Sequence, residues 1–313
     1  MNSIKRALIS VWDKDGVIEL AEFLINNKVE IISTGGTKKI LESNNIAVTP
    51  VSAITNQNEI MNGRVKTLHP SLFGGILADR CNDKHIDDLN EIKSNPIDLV
   101  VINLYPFEQE AMSKNLSIEK SIEYIDIGGP SMLRAAAKNF KYVIPLCDSS
   151  QYENFIDKYK ENSGEFSVED RIEYAKIVFN KTMSYDYLIN KYFSEKSNID
   201  DNILMPDNLV MNMYKKNNLR YGENPHQKSA YYTPDNEENI WEKIQGKKLS
   251  YNNYFDMESA INIVYEFQDL SCVIVKHSNP CGFGIGKSNV EAYLNAVSTD
   301  PVSYFGGIVA FNN

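Results

Sequence analysis

The run Ile97-Asp98-Leu99-Val100-Val101-Ile102-Asn103-Leu104-Tyr105 constrains the fold more than any other stretch. It is apolar and rich in β-branched residues, and Pro106 stops it, because proline biases the residue before it and offers no N–H to a ladder. Ala7–Trp12, Val29–Ile32 and Tyr142–Cys147 read as further buried strands. Between them, Val17–Asn26 gathers Val17, Ile18, Leu20, Ala21, Leu24 and Ile25 on one helical face. A tight turn at Thr34-Gly35-Gly36-Thr37 precedes a short helix, Lys38–Ser43, and Pro130 fits the first turn of a helix through Met132, Leu133, Ala136 and Ala137. Strands that alternate with helices imply βαβ units, and therefore an α/β fold whose parallel sheet carries helices on both faces.

After a helical stretch from about 168 to 189, the polar and aperiodic run Ser194–Asn202 predicts a boundary, giving domains 1–198 and 199–313. A length of 313 residues agrees with two domains of ~150. In the second domain Asp256–Phe267 and Val290–Val297 read as helices, Cys272–Val275 and Ile308–Phe311 as strands, and Asn279–Gly284 as a loop. Thirty-two basic against forty-two acidic side chains leave a net charge of −10, without the positive surplus that nucleic acid or an anionic membrane would need. Neither partner is expected. No window approaches the ~18 apolar residues of a membrane span. The four cysteines (Cys81, Cys147, Cys272, Cys281) form no framework, so a cytoplasmic location is expected.

Ligands of open α/β sheets sit beyond the carboxyl ends of the strands. That edge gathers Ser10-Val11-Trp12-Asp13-Lys14 after the first strand and Thr34-Gly35-Gly36-Thr37 after the second. Glycines admit an anion to backbone N–H groups, a helix N-terminus adds positive potential, and the Thr34, Thr37 and Lys14 side chains complete a phosphate cradle. The spacing matches neither a Walker A loop nor Gly-x-Gly-x-x-Gly, which favours a monophosphate. An ordinary turn would also explain the glycines. Gly63-Arg64-Val65-Lys66-Thr67-Leu68-His69-Pro70 alternates two cations beside a hydroxyl and an imidazole, as a phosphate and a reacting group would require, or as a solvated basic loop would allow. Asp126-Ile127-Gly128-Gly129 puts a carboxylate just ahead of a helix carrying Arg134 and Lys138, where a helix cap is the plainer reading. Asn103 and Tyr105 close the strongest strand.

In the second half, Arg220-Tyr221-Gly222-Glu223-Asn224-Pro225-His226-Gln227 is a dense polar loop. Lys276 and His277 directly follow a buried strand, and a neighbouring cation lowers an imidazole's proton affinity. His277 with Pro280-Cys281 invites a zinc-deaminase reading, which fails because Asn279 and Gly284 stand where Glu and the second Cys are needed.

Taken in order, these blocks resemble the AICAR formyltransferase/IMP cyclohydrolase family of purine biosynthesis: Ser-Val-x-Asp-Lys, Gly-Gly-Thr, Gly-Arg-Val-Lys-Thr-Leu-His-Pro, Asn-Leu-Tyr-Pro-Phe and Asp-Ile-Gly-Gly with Arg-Ala-Ala-Ala-Lys-Asn. Leu-Arg-Tyr-Gly-Glu-Asn-Pro-His-Gln, Leu-Ser-Tyr-Asn-Asn, Val-Lys-His-x-Asn-Pro-Cys-Gly and Asp-Pro-Val-Ser-x-Phe-Gly-Gly complete the series. The resemblance implies a methylglyoxal-synthase-like domain that closes formyl-AICAR to IMP, followed by the first part of a cytidine-deaminase-like α/β transformylase domain. It implies that Lys14, Thr34, Gly36, Thr37, Arg64 and Thr67 hold the ribose 5′-phosphate, with Ser10 in the same loop. Lys66, Tyr105, Asp126 and Lys138 would surround the reacting atoms, near Asn103 and Gly128. Arg220, Tyr221 and Asn253 would grip AICAR, and Lys276 and His277 would assist formyl transfer from the cosubstrate 10-formyltetrahydrofolate. The cyclohydrolase half needs no cofactor or metal, and a homodimer is implied. Trp12 departs from the family, which usually has a small hydroxyl residue there. Family members continue well past the position of Asn313, so this chain is expected to cyclise without transferring formyl groups. A non-catalytic nucleotide-sensing module and a methylglyoxal synthase are the competing expectations for the same fold.

Overall fold

The computed structural model describes residues 4–196, 210–234 and 242–313. It divides into two compact units, Met1–Asp207 and Asn208–Asn313. The boundary expected at 198/199 lies outside the described residues.

In the first unit the chain runs β1 (Arg6–Ile9), α1 (Val17–Asn26), β2 (Glu30–Ser33), α2 (Gly35–Ser43), β3 (Thr49–Pro50) and α3 (Val51–Thr55). It continues through α4 (Pro70–Leu77), α5 (Asp83–Glu91), β4 (Leu99–Val101), α6 (Ile118–Ser121), α7 (Gly128–Lys138), β5 (Ile144–Leu146), α8 (Tyr152–Glu161) and α9 (Val168–Lys196). The five strands pair in the order β3-β2-β1-β4-β5, every pair parallel. Alternation along each strand divides the core in two. Leu8, Ile32 and Val100 pack with α4, α7 and most of α9, whereas Ala7, Ile9, Ile31, Leu99 and Val101 pack with α1 and α8. A sheet apolar on both faces has to be covered on both, which is why the strands read as unbroken apolar runs. Each fully buried Leu or Ile contributes ~1.5–3 kcal/mol, so the two-sided core dominates this unit's stability.

Two expectations change here. The turn Thr34–Thr37 is the first turn of α2, with Thr34 as N-cap and Gly35 at φ +56°. Glycines mark a turn by composition, yet here they open a helix directly from a strand. The strand expected over 97–105 keeps ladder pairing only at Leu99–Val101, and the residues after it leave the sheet to form the site.

The second unit holds a two-stranded ribbon, β6 (Met213–Asn218) with β7 (Ala230–Pro234), then α10 (Tyr251–Val264), β8 (Ser271–Lys276), β9 (Asn279–Ile285), α11 (Asn289–Thr299) and β10 (Ile308–Phe311). The order β10-β8-β9 is antiparallel throughout. The expected loop at 279–284 is therefore a strand, closed onto β8 by a two-residue turn in which His277 and Ser278 both take positive φ. Pro280 is tolerated because β9 lies at a sheet edge and a bulge follows it. Gly282 and Gly284 are needed for close approach: a Cβ on either would stand 2.3–2.4 Å from backbone atoms of α11. Residues that look like loop punctuation are packing requirements.

Candidate functional site

The strand order places the topological switch point between β1 and β4, where the neighbouring connections run to opposite sides. The two loops leaving that point are tied together. Asn103 Oδ1 accepts from the backbone N–H groups of Trp12 and Asp13, the latter at 3.0 Å, and its Nδ2 donates to Asp13 O at 2.9 Å. The rings of Trp12 and Tyr105 meet with centroids 4.7 Å apart. Asn103 thus acts as a splint between loops. Ser10 continues the ladder, its N–H donating to Val101 O at 2.9 Å.

Of the residues expected to hold a phosphate, Thr37 and Lys14 are tied to the loop that follows β1. Thr37 is buried, its hydroxyl donating to Val11 O at 2.9 Å and accepting from Val11 N–H at 3.0 Å. Lys14 Nζ donates to the carbonyls of Val11 and Trp12, the second at 2.6 Å. Burial pushes the Lys14 ammonium below the usual lysine range; the Asp13 charge opposes this and the Lys66 charge adds to it. Gly36 opens on free space, and a Cβ on Gly35 would lie 3.9 Å from Lys66 Nζ, so the helix start of α2, Lys14 and Lys66 share one crevice.

The start of α7 forms the other wall. Gly129 N–H donates to Asp126 Oδ1 at 2.9 Å, although the N-cap position itself belongs to Ile127, one residue after the carboxylate that the sequence offered as a cap. The glycine pair records how tightly neighbours press on this turn. A Cβ on Gly129 would stand 2.3 Å from Asp126 Oδ2, and one on Gly128 would stand 2.7 Å from the hydroxyl of buried Thr67. Burial raises the Asp126 carboxyl above the usual aspartate range, against the lowering effects of the Gly129 N–H, the Lys66 charge and the Gly128 N–H. A carboxyl whose proton affinity is raised by desolvation, within electrostatic reach of a lysine, is the kind of group that can accept a proton.

One contributor carried no signal in the sequence. Tyr185, buried on α9, accepts from Asp126 N–H at 2.8 Å and donates to Tyr124 O at 3.1 Å. Its hydroxyl is pushed up to about 12, mainly by burial. Nothing but the packing of α9 on α7 could reveal this contact, since the two residues lie 59 positions apart.

Two expected members stand elsewhere. Arg64 forms an exposed ion pair with Glu123, whose hydrogen bond raises the guanidinium further. Lys138 is exposed in the last turn of α7, roughly 15 Å along the helix axis from Gly128 at ~1.5 Å per residue. Within one chain the structure does not bring Lys138 to Asp126 or Lys66, because the helix that carries it points away from the crevice.

In the second unit, Arg220 stacks on the ring of Tyr221, 4.7 Å from its centroid, and donates to the phenol oxygen at 2.8 Å. Backbone bonds from Arg220 N–H to Leu249 O and from Tyr251 N–H to Tyr221 O bring this pair to the start of α10. Asn253 lies there too, but its amide oxygen is engaged in a capping box, accepting from Ser250 N–H and Oγ. Lys276 Nζ donates to Phe305 O at 3.1 Å, and His277 is exposed on the hairpin turn, which Ser278 N–H ties to Asp256 on α10. A groove of about 660 Å³ between the ribbon and α10 is lined by Tyr231, Tyr251, Tyr254, Phe255, Glu258 and Tyr265, and includes neither Lys276 nor His277. Among the described residues no group of three or more His, Cys, Asp or Glu could hold a metal, and no helix is long and apolar enough to cross a membrane.

A five-stranded parallel sheet covered by helices on both faces makes this an α/β domain, and the MGS-like domain model matches residues 16–131. The AICARFT/IMPCHase bienzyme model matches residues 136–313, more than half of the chain, and the chain belongs to that family. It is 48% identical over 312 residues to the "Bifunctional purine biosynthesis protein PurH" of Clostridium botulinum (strain Hall), covering 99% of this chain and 61% of that protein. The PurH of Bacillus cereus (strain 03BB102) is 46% identical over 312 residues, covering 98% and 60%. The chain therefore spans about three fifths of the length of the curated relatives it matches. A solved structure described as "Crystal structure of ForH" superposes with a TM-score of 0.54 at 32% identity, covering 61% of this chain and all of that one.

Proposed function

We propose that the first unit binds formyl-AICAR by its ribose 5′-phosphate and closes it to IMP, the last step of purine-ring assembly. The carrying observation is Asp126, half-buried at the start of α7 within the electrostatic reach of Lys66. In the reaction the carboxamide nitrogen attacks the formyl carbon, a C–N bond forms, and the formyl oxygen leaves as water. That water takes one proton from the carboxamide nitrogen and one from the formamido nitrogen. Both reacting groups belong to one molecule, so fixing a productive conformer supplies much of the acceleration. Asp126 would accept the carboxamide proton. Lys66 would stabilise the oxyanion and donate toward the departing oxygen, a pair of effects each worth ~10²-fold or more. Tyr105 would orient the ring, while Lys14, Thr34, Gly36, Thr37 and Thr67 hold the phosphate. Arg64 would join them by exchanging Glu123 for the phosphate.

For the second unit the reading is a share of the site that formylates AICAR, with Arg220, Tyr221 and Asn253 on the nucleotide and a homodimer as the assembly. The formyl donor, 10-formyltetrahydrofolate, would be a second substrate. Of the candidate residues, Lys276 and His277 would bear on it, His277 from an exposed hairpin tip.

Mixing purified protein with formyl-AICAR in the absence of folate and following purine absorbance tests the first reading. Turnover that falls by about 100-fold or more in Lys66→Ala is expected. A folded wild-type chain without turnover would refute the activity, and undiminished turnover in the variant would refute the role given to Lys66.

A further inference from the structure

Trp12 is a large side chain that the ring closure, as derived, does not use. Its backbone is pinned on both sides: the N–H donates to Asn103 Oδ1 and the carbonyl accepts from Lys14 Nζ at 2.6 Å. Its indole leans on Tyr105 at 4.7 Å between centroids and 52° between planes, yet 42% of the residue is exposed. That exposure is not looseness, because the loop is fixed to both β1 and β4. Folding leaves an apolar ring in water that burial would otherwise make favourable. The ring also belongs to the loop that carries Lys14, two residues on, and packs against Tyr105 at the end of the β4 loop.

We infer that Trp12 sets ligand specificity, its indole stacking on the heteroaromatic ring of the nucleotide whose phosphate the cradle holds. This rests on the purine-precursor reading of the same site and adds to it that the ring, and not only the phosphate, is gripped before chemistry. Any flat base offers a face for such a contact, and removing an aromatic partner typically weakens binding about 5- to 150-fold. A sugar phosphate without a base gains nothing from it.

The test titrates the full chain with IMP and with ribose 5-phosphate by calorimetry, in wild type, Trp12→Ser and Trp12→Phe. The chain has two tryptophans, so Trp241→Phe leaves Trp12 as the sole indole for a parallel fluorescence titration. The expected result is that Trp12→Ser weakens IMP about tenfold while ribose 5-phosphate is unaffected, that Trp12→Phe keeps most of the affinity, and that IMP alone quenches Trp12 emission saturably. Equal IMP affinity in wild type and Trp12→Ser overturns the inference. So does an equal loss for both ligands, which would mark a disturbed loop rather than a lost stack. If wild type itself fails to bind IMP, the purine reading of the site falls with it; if wild type binds and the variants are indifferent, only the stacking claim falls.

Discussion

Asp126 and His277 make an instructive pair, one from each unit. Both follow recognisable blocks of sequence, and both sit at the end of a regular element. Around Asp126 several elements meet: its carboxylate accepts from Gly129 N–H of α7, Tyr185 of α9 accepts from its backbone N–H, and burial raises its proton affinity. Around His277 the local fold is a hairpin turn with the side chain exposed. The difference is one of surroundings: α9, distant in sequence, helps to half-bury Asp126, whereas His277 faces solvent. The two-sided core behind the sheet fixes where α9 lies.

The strongest test of this contrast is Asp126→Asn. The amide can still accept the Gly129 N–H but cannot take a proton from substrate, so ring closure should fall by about 100-fold or more. Because burial raises the carboxyl's native value above its unfolded one, this group favours folding at acidic pH, and that contribution is lost as pH rises through the raised value. Asp126→Asn should therefore be no less stable than wild type at neutral pH in a thermal melt, while inactive. A variant both active and destabilised would break the comparison. By the same linkage, wild-type kcat should decline as pH falls through the raised Asp126 value, and a pH–rate profile flat down to the usual aspartate range would argue against its role as base.

Gly284→Ala probes the other side. Its Cβ would meet the Ala292 carbonyl and Ala296 N–H at 2.4 Å, and overpacking of this kind costs ~1–3 kcal/mol. Hydrogen exchange in β9 and α11 should quicken; unchanged protection would show that α11 yields easily. Tyr185→Phe removes one acceptor and one donor at Asp126 and Tyr124, for ~1 kcal/mol of stability. If Tyr185 positions Asp126 rather than merely packing, kcat should drop and the acid limb of the pH profile should move, with KM unchanged. The smallest effect belongs to Glu123→Gln, since a solvent-exposed ion pair adds little to stability. Freed from Glu123, Arg64 should bind ribose 5-phosphate at least as tightly as before, and weaker binding would mean that Glu123 helps to orient it.

Much of this was legible in the chain. The parallel strands announced themselves because a strand buried on both faces must be apolar throughout, and Leu99–Val101 is. Lys14 lies within electrostatic reach of Lys66, and Lys66 of Asp126, residues that the sequence sets after strands and before helices. Less legible were the elements whose glycines and proline serve packing rather than turning: α2 opens at Gly35, and β9 carries Pro280, Gly282 and Gly284. Composition reads both as loop, since the neighbouring helix that demands a missing Cβ is remote in sequence. Arg64 and Lys138 were placed by motif alone, and their partners were set by Glu123 and by the length of α7.

The sequence by itself determined the alternation of elements and the chemical inventory at the carboxyl edge of the sheet, because those depend on local periodicity and on residue type. Only the tertiary structure decided which of these groups meet. Proton affinity, stacking and close approach depend on distances of a few ångströms between residues far apart in the chain, and those distances follow from how α7, α9 and the β1 and β4 loops pack.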